Sequence, residues 1–158
     1  MEADYRITVG VISDTHGLLR NNVFQVFKNA DYILHAGDVG SQAILNELKK
    51  LAPITVVRGN MDTGDWAAGL ALTDMVKIGN HYLYLLHDLS SLDIDPLAAG
   101  VDIIISGHTH QPLINKQNKI LYLNPGSAGP RRMNLPVSVA MLYISRNRLD
   151  AEIIDLEI

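Results

Sequence analysis

Short runs of β-branched and aliphatic residues recur through the first 110 residues. Five of them end on a side chain able to bind a metal: ITVGVIS before Asp14, YILHAG before Asp38, ITVVRG before Asn60, YLYLLH at His87 and DIIISG before His108. Apolar runs of this length read as buried strands. The opening half predicts strand 6–13, helix 21–28, strand 32–35, helix 41–51 and strand 54–57, the β-α-β-α-β order of an α/β fold. From residue 73 the texture changes. TDMVKIG and HYLYLLH flank a Gly79-Asn80 turn with alternating apolar positions, a hairpin signal. Further strands are expected at 102–106, 111–116, 119–124, 136–144 and 148–156, with turns near Asn118 and Arg146-Asn147. Asp95-Pro96 starts a short helix that Gly100 stops. The predicted architecture is a single α/β domain over 1–158, two packed sheets flanked by helices.

In open α/β sheets, ligands collect where the carboxyl ends of strands face a common crevice. Asp14, His16, Asp38, Asn60, His87, His108 and His110 should therefore meet at one rim. Each fragment alone is an ordinary turn; Gly37-Asp38 and Gly59-Asn60, for instance, are common loop dipeptides. Their co-occurrence at consecutive strand ends outweighs that reading, and His108 and His110, two apart in extended chain, face the same way. Imidazoles, two carboxylates and an amide oxygen suit manganese first, with iron, nickel or zinc as alternatives, better than the all-oxygen shells of calcium or magnesium. Seven donors exceed the needs of one ion and imply a pair. Two dications facing two carboxylates leave the site positive, so it should attract an anion. Paired metals that activate water suit in-line displacement at phosphorus, which predicts hydrolysis of a phosphate ester.

The chain resembles the calcineurin-like metallophosphoesterases. The likeness is carried by Asp14-Thr15-His16, Gly37-Asp38, Gly59-Asn60-Met61-Asp62, His87 and Gly107-His108-Thr109-His110, in that order. Asn124-Pro125-Gly126-Ser127 and Pro130-Arg131 extend it to the small bacterial and archaeal phosphodiesterase branch. The resemblance implies a four-layer αββα sandwich of two mixed β-sheets. It implies one metal held by Asp14, His16, Asp38 and His110, and another by Asp38, Asn60, His87 and His108, with Asp38 as the bridge. Asp38, Asn60 and His108 then stand at the reacting centre, where a metal-bridging hydroxide attacks a small phosphodiester and His108 helps to stabilise the developing charge.

Two positions depart from the family. Many members carry a histidine after the asparagine, where this chain has Met61, whose thioether cannot protonate a leaving group. A general acid is typically worth about 10²–10⁴ in rate, so esters with acidic leaving groups should be preferred unless Asp62 or another histidine substitutes. Asp88 stands where relatives usually have glycine; it could support the His87 ring or discourage a dianion. Arg131 is a candidate to orient substrate phosphate, and Ser127, in a glycine-rich turn, a candidate phosphate contact. His35 reads as a hydrogen-bonded core histidine, His81 as solvated, Asp62 and Asp65 as loop residues, and Trp66 with 67–71 as a flap.

Composition narrows the partners. The net charge is −4 and there is no Lys/Arg run, so the footprint of a long nucleic-acid binder is missing and a metal-dependent nuclease is disfavoured. The absence of cysteine excludes thiol catalysis, disulfides and thiolate metal sites. Without a signal-like start or a membrane-length apolar segment, a cytoplasmic protein is expected. Apolar strands at a sheet edge would permit a homo-oligomer. The competing functional class is a catalytically silent protein-interaction scaffold on the same fold, which should have eroded ligands; all seven are present.

Overall fold

The computed structural model describes residues 6–156. In chain order the elements are β1 (Ile7–Ile12), α1 (Asn21–Val26), β2 (Tyr32–His35), α2 (Gln42–Lys49), β3 (Ile54–Val56), α3 (Asp65–Ala68), β4 (Thr73–Ile78), β5 (His81–Leu86), α4 (Pro96–Ala99), β6 (Ile103–Ile105), β7 (Leu113–Gln117), β8 (Ile120–Asn124), β9 (Ser138–Ile144) and β10 (Leu149–Asp155). They form two five-stranded sheets, ordered β10-β9-β1-β2-β3 and β4-β5-β6-β8-β7. Both are mixed. β1, β2 and β3 are parallel, as are β5, β6 and β8, while hairpin partners run antiparallel at the edges.

The two-residue period of the strands explains the layering. Val9, Val11, Leu34, Ala140 and Leu142 of the first sheet face Leu83, Leu85, Ile103, Ile105 and Leu123 of the second, forming the core between the sheets. The opposite face of the first sheet, with Ile12, Ile33, Val139 and Met141, packs on Val23 and Phe27 near α1 and on Ile44, Leu45 and Leu48 of α2. Tyr84, Leu86, Ile104 and Ile120 cover the far side of the second sheet, beneath Leu89, Leu92 and Ile94. The result is the four-layer sandwich, with a thin outer layer on the second sheet. Strands buried on both faces account for the unbroken apolar runs, such as β6 as Ile103, Ile104 and Ile105.

The hairpin turn at Asn118-Lys119 forms as expected, both residues taking positive φ. Two expectations change. Residues 67–71 are not a loose flap: α3 occupies 65–68, and Trp66 and Leu70 pack on the helix-side core. His81 is not solvated. Its Nε2 donates to the Ser145 carbonyl at 3.2 Å and its Nδ1 lies 3.7 Å from Asp102, so it ties the start of β5 to the β9–β10 turn of the other sheet. Among the described residues, no helix is long and apolar enough to cross a membrane.

Candidate metal centre

The carboxyl ends of the two parallel strand triplets open toward each other, and the loops leaving them are stitched together. The Asp14 and His16 amides donate to the Gly37 and Asp38 carbonyls at 3.0 and 2.9 Å, joining the β1 and β2 loops. Gly107 N donates to the His87 carbonyl at 2.9 Å, joining those after β5 and β6. The sheets meet where Gly107 lies against Ser13 and Asp14; a Cβ at that position would collide with the Ser13 hydroxyl. Asn124, closing β8, pins the β6 loop: its amide donates to Gly107 O at 3.0 Å and to Thr109 Oγ1 at 3.1 Å.

Five of the seven predicted metal-binding residues have left-handed backbones: Asp14 (φ 56°), His16 (47°), Asp38 (55°), His108 (71°) and His110 (64°). Each such non-glycine conformation costs on the order of 1–3 kcal/mol and persists only where its surroundings enforce it. Buried His35 is one enforcer. Gly37 N donates to its Nδ1 at 3.1 Å, so Nε2 carries the hydrogen and faces Thr15 Oγ1 at 3.1 Å, and that hydroxyl in turn donates to Val39 O. Burial lowers the His35 pKa to about 3, with His87 adding to the effect, so this ring stays neutral and acts as a pin.

All seven predicted side chains gather at this rim. Asp14 and Asp38 are buried, and neither faces a lysine or arginine partner; imidazoles surround them instead. Asp14 Oδ1 lies 3.4 Å from His110 Nε2, 3.6 Å from His16 Nε2 and 3.8 Å from His87 Nε2. Asp38 Oδ2 lies 3.2 Å from His87 Nε2 and 3.7 Å from His16 Nε2, while its Oδ1 accepts the Met61 amide at 2.8 Å. Two tight clusters emerge, Asp14-His16-His110 and Asp14-Asp38-His87. His108 belongs to neither. Its ring meets that of His87 edge-on at 5.2 Å, and with Asn60 it forms part of the wall of a cavity of about 250 Å³.

The donor set fits cations. Asp14 Oδ1 and His87 Nε2 are buried without a hydrogen-bond partner, a costly arrangement unless something positive satisfies them. His87 Nδ1 donates to the Ala36 carbonyl at 2.8 Å, which turns the Nε2 lone pair into the site, the usual support for a metal-binding histidine. The His16 and His110 Nε2 atoms face each other at 3.4 Å and cannot both carry hydrogen. Burial opposes charge on both Asp38 and His87; against it, their mutual contact, the Met61 amide on the carboxyl, and Asp14 and the Ala36 carbonyl beside the imidazole together hold the carboxyl below its ordinary pKa and the imidazole above.

Other candidates fall differently. Arg132, not Arg131, stands in the cavity wall beside His16 and His110. Burial lowers the His110 pKa, against the pull of Asp14 and with help from Arg132. Of the tandem pair, the sequence points to Arg131, whereas Arg132 is the one in this cavity wall. Ser127 is buried, its hydroxyl donating to the Asp14 carbonyl at 3.1 Å, so it braces the β1 loop. Asp62 accepts from the Gly40 and Gly59 amides at 3.1 and 2.9 Å, both oxygens committed. Asp88 does not support His87. Its Oδ1 caps the short turn at Leu89–Ser91 through Ser90, and its Oδ2 lies 3.8 Å from His108 Nε2. Met61 is 64% exposed at the cavity mouth.

Strand-end carboxylates and imidazoles converging between paired mixed sheets make this an α/β protein with a candidate metal centre. The sequence matches the calcineurin-like phosphoesterase superfamily domain over residues 7–147, and the chain belongs to that superfamily. It is 40% identical to a probable metallophosphoesterase from Methanothermobacter thermautotrophicus over 158 aligned residues, covering 92% of this chain and 91% of that protein. A phosphodiesterase from Methanocaldococcus jannaschii is 26% identical, covering 75% of this chain and 82% of the other. In fold, the chain matches vacuolar protein sorting 29 from Cryptosporidium parvum with a TM-score of 0.85 at 23% identity, covering 97% and 93% of the two chains.

Proposed function

We propose that this protein is a two-metal phosphoesterase acting on small phosphodiesters. The observation that carries the reading is the pair of buried, unpartnered donors, Asp14 Oδ1 and His87 Nε2, set among further imidazoles and the Asp38 carboxylate. Asp14, His16, Asp38 and His110 would hold one ion; Asp38, Asn60, His87 and His108 would hold the other. When bound, such a pair supplies an activated water at neutral pH and offsets the charge of the phosphoryl group. Manganese is the favoured metal on the chemistry of the donors.

The chain's own residues divide the remaining tasks. Asp38 directs one oxygen at both His16 and His87 and anchors the other on Met61 N, so it can serve both ions without moving. Arg132 presents a guanidinium to the same cavity and would orient a non-bridging phosphate oxygen. No proton donor stands at position 61, and Asp62 is bound up with backbone amides. Unless another histidine of the cavity donates the proton, esters whose leaving group departs as a stable anion would be favoured, aryl over alkyl.

The second reading is a scaffold without turnover on the same fold; the likeness to vacuolar protein sorting 29, at 23% identity, is one of fold alone and does not raise that reading above the hydrolase. One experiment separates the two. Metal-stripped protein is given Mn²⁺, Ni²⁺, Zn²⁺ or Mg²⁺, and hydrolysis of bis(p-nitrophenyl) phosphate is followed beside p-nitrophenyl phosphate. Diesterase activity restored by a transition metal is expected. Silence in protein holding two ions would overturn the general diesterase and leave a scaffold or a narrowly selective enzyme.

A further inference from the structure

A second and larger cavity adjoins the metal centre. It has a volume of about 750 Å³ and is lined by Asn60 and His87 at one end; Asn60 also stands in the wall of the smaller cavity, so the two adjoin at that residue. Ala68 and Leu72 give it apolar surface over the buried Ala67 and Leu86, and Thr63, Thr73 and Ser91 bring hydroxyls. Leu72 is 62% exposed, a large apolar side chain left facing this space. Charge separates across the centre. Arg132 lies in the smaller cavity, whereas the groove carries Asp88 and Asp93 against Arg58, Asp62 being committed to backbone amides. The volume far exceeds a phosphoryl group and falls within the range of roughly 300–1,000 Å³ that holds small organic ligands.

We infer that this groove is the subsite for the organic group of the ester, and that it takes an uncharged, hydroxyl-bearing group of nucleoside size joined through a single phosphate. Ala68 and Leu72 would cover one face of a ring, and the threonine and serine hydroxyls would meet its polar edge. Asp88 and Asp93 would repel a second phosphate. The inference rests on the two-metal phosphoesterase reading.

Its test pairs binding with turnover. Metal-loaded protein is titrated calorimetrically with inorganic phosphate, thymidine 5′-monophosphate and thymidine 3′,5′-bisphosphate. Hydrolysis of thymidine 5′-(p-nitrophenyl phosphate) is compared with that of methyl p-nitrophenyl phosphate. The nucleoside should add about tenfold in affinity over phosphate and a similar factor in kcat/KM over the methyl ester, mostly through KM. The bisphosphate should bind more weakly than the monophosphate. Ala68→Trp, at an exposed position of α3, should remove the nucleoside increment in both assays, and Leu72→Ser, which does not enlarge a side chain, should reduce it. An increment near one in the wild type, or one that survives both substitutions in folded protein, overturns the groove. An increment in binding without hydrolysis of either ester keeps the groove and overturns the hydrolase; hydrolysis without an increment does the reverse.

Discussion

The two sheets contribute different chemistry to the rim. The first sends Asp14, His16, Asp38 and Asn60 from the ends of β1, β2 and β3, and thus supplies both carboxylates. The second sends only imidazoles, His87, His108 and His110, from β5 and β6. The first sheet's other histidine, His35, is spent on the backbone, with both ring nitrogens facing main-chain or hydroxyl partners. One sheet therefore sets the charge of the centre while the other mainly completes its coordination, and substitutions in the two should fail differently.

Asp38→Ala is the strongest test of that asymmetry. It removes the oxygen that faces imidazoles of both sheets, and should cost at least about 10³ in kcat/KM together with most bound metal. His108→Ala, at the exposed margin of the second sheet's contribution, should lose affinity for one ion while the other stays bound. Metal analysis beside diester hydrolysis reads both. Equal losses of ions in the two variants would break the division between the sheets.

Met61→His asks whether the first sheet can regain the proton donor it lacks. Hydrolysis of an alkyl phosphodiester should rise by about 10², while that of a p-nitrophenyl ester, whose leaving group needs no proton, should change little. Equal gains on both esters would show that the new histidine acts through metal binding instead.

Much of this division is legible in the sequence because burial period and strand ends are encoded by residue type. The β-branched runs locate the strands, and Asp14, Asp38, His87 and His108 follow them within three residues. What sequence does not encode is the direction of a side chain leaving an irregular loop. Arg131 and Arg132 are adjacent and chemically equivalent, yet it is Arg132 that stands in the cavity wall. Asp88 reads as a partner for the adjacent His87, but it turns onto Ser90 and toward His108, because His87 already has the Ala36 carbonyl. Ser127 reads as a phosphate contact and is instead buried under Asp14. Trp66, in a stretch rich in alanine and glycine, reads as a flap because packing with the distant helix-side core leaves no local pattern.

His35 gives the first sheet a pH dependence set by a histidine outside the predicted metal ligands. Its folded pKa is lowered to about 3 from an ordinary 6.5. The unfolded chain therefore binds a proton that the folded one refuses as pH falls through 6.5, and stability is lost progressively down to about pH 3. His35→Asn should remove that dependence. In chelator-treated protein at pH 4.5, the wild type should have lost about 2–3 kcal/mol relative to neutral pH from this group alone, a loss missing from the variant. Denaturant melts of both proteins at the two pH values isolate it by difference.

The smallest expected effect sharpens the boundary between the sheets' charges. Asp88, on the second sheet's side, is partly exposed and keeps its capping role through Oδ1, so Asp88→Asn should leave the Ser90 turn intact while removing a negative charge 3.8 Å from His108. A phosphomonoester carries more negative charge than a diester and should gain more from the loss. The monoester-to-diester ratio of kcat/KM should rise by about two- to fivefold at low salt and fall back as ionic strength grows, since exposed charges are screened within about 10 Å at 0.1 M. A ratio that does not move, or that moves without salt dependence, would mean that Asp88 acts through the loop it caps, leaving the first sheet's carboxylates as the source of negative charge that the substrate feels.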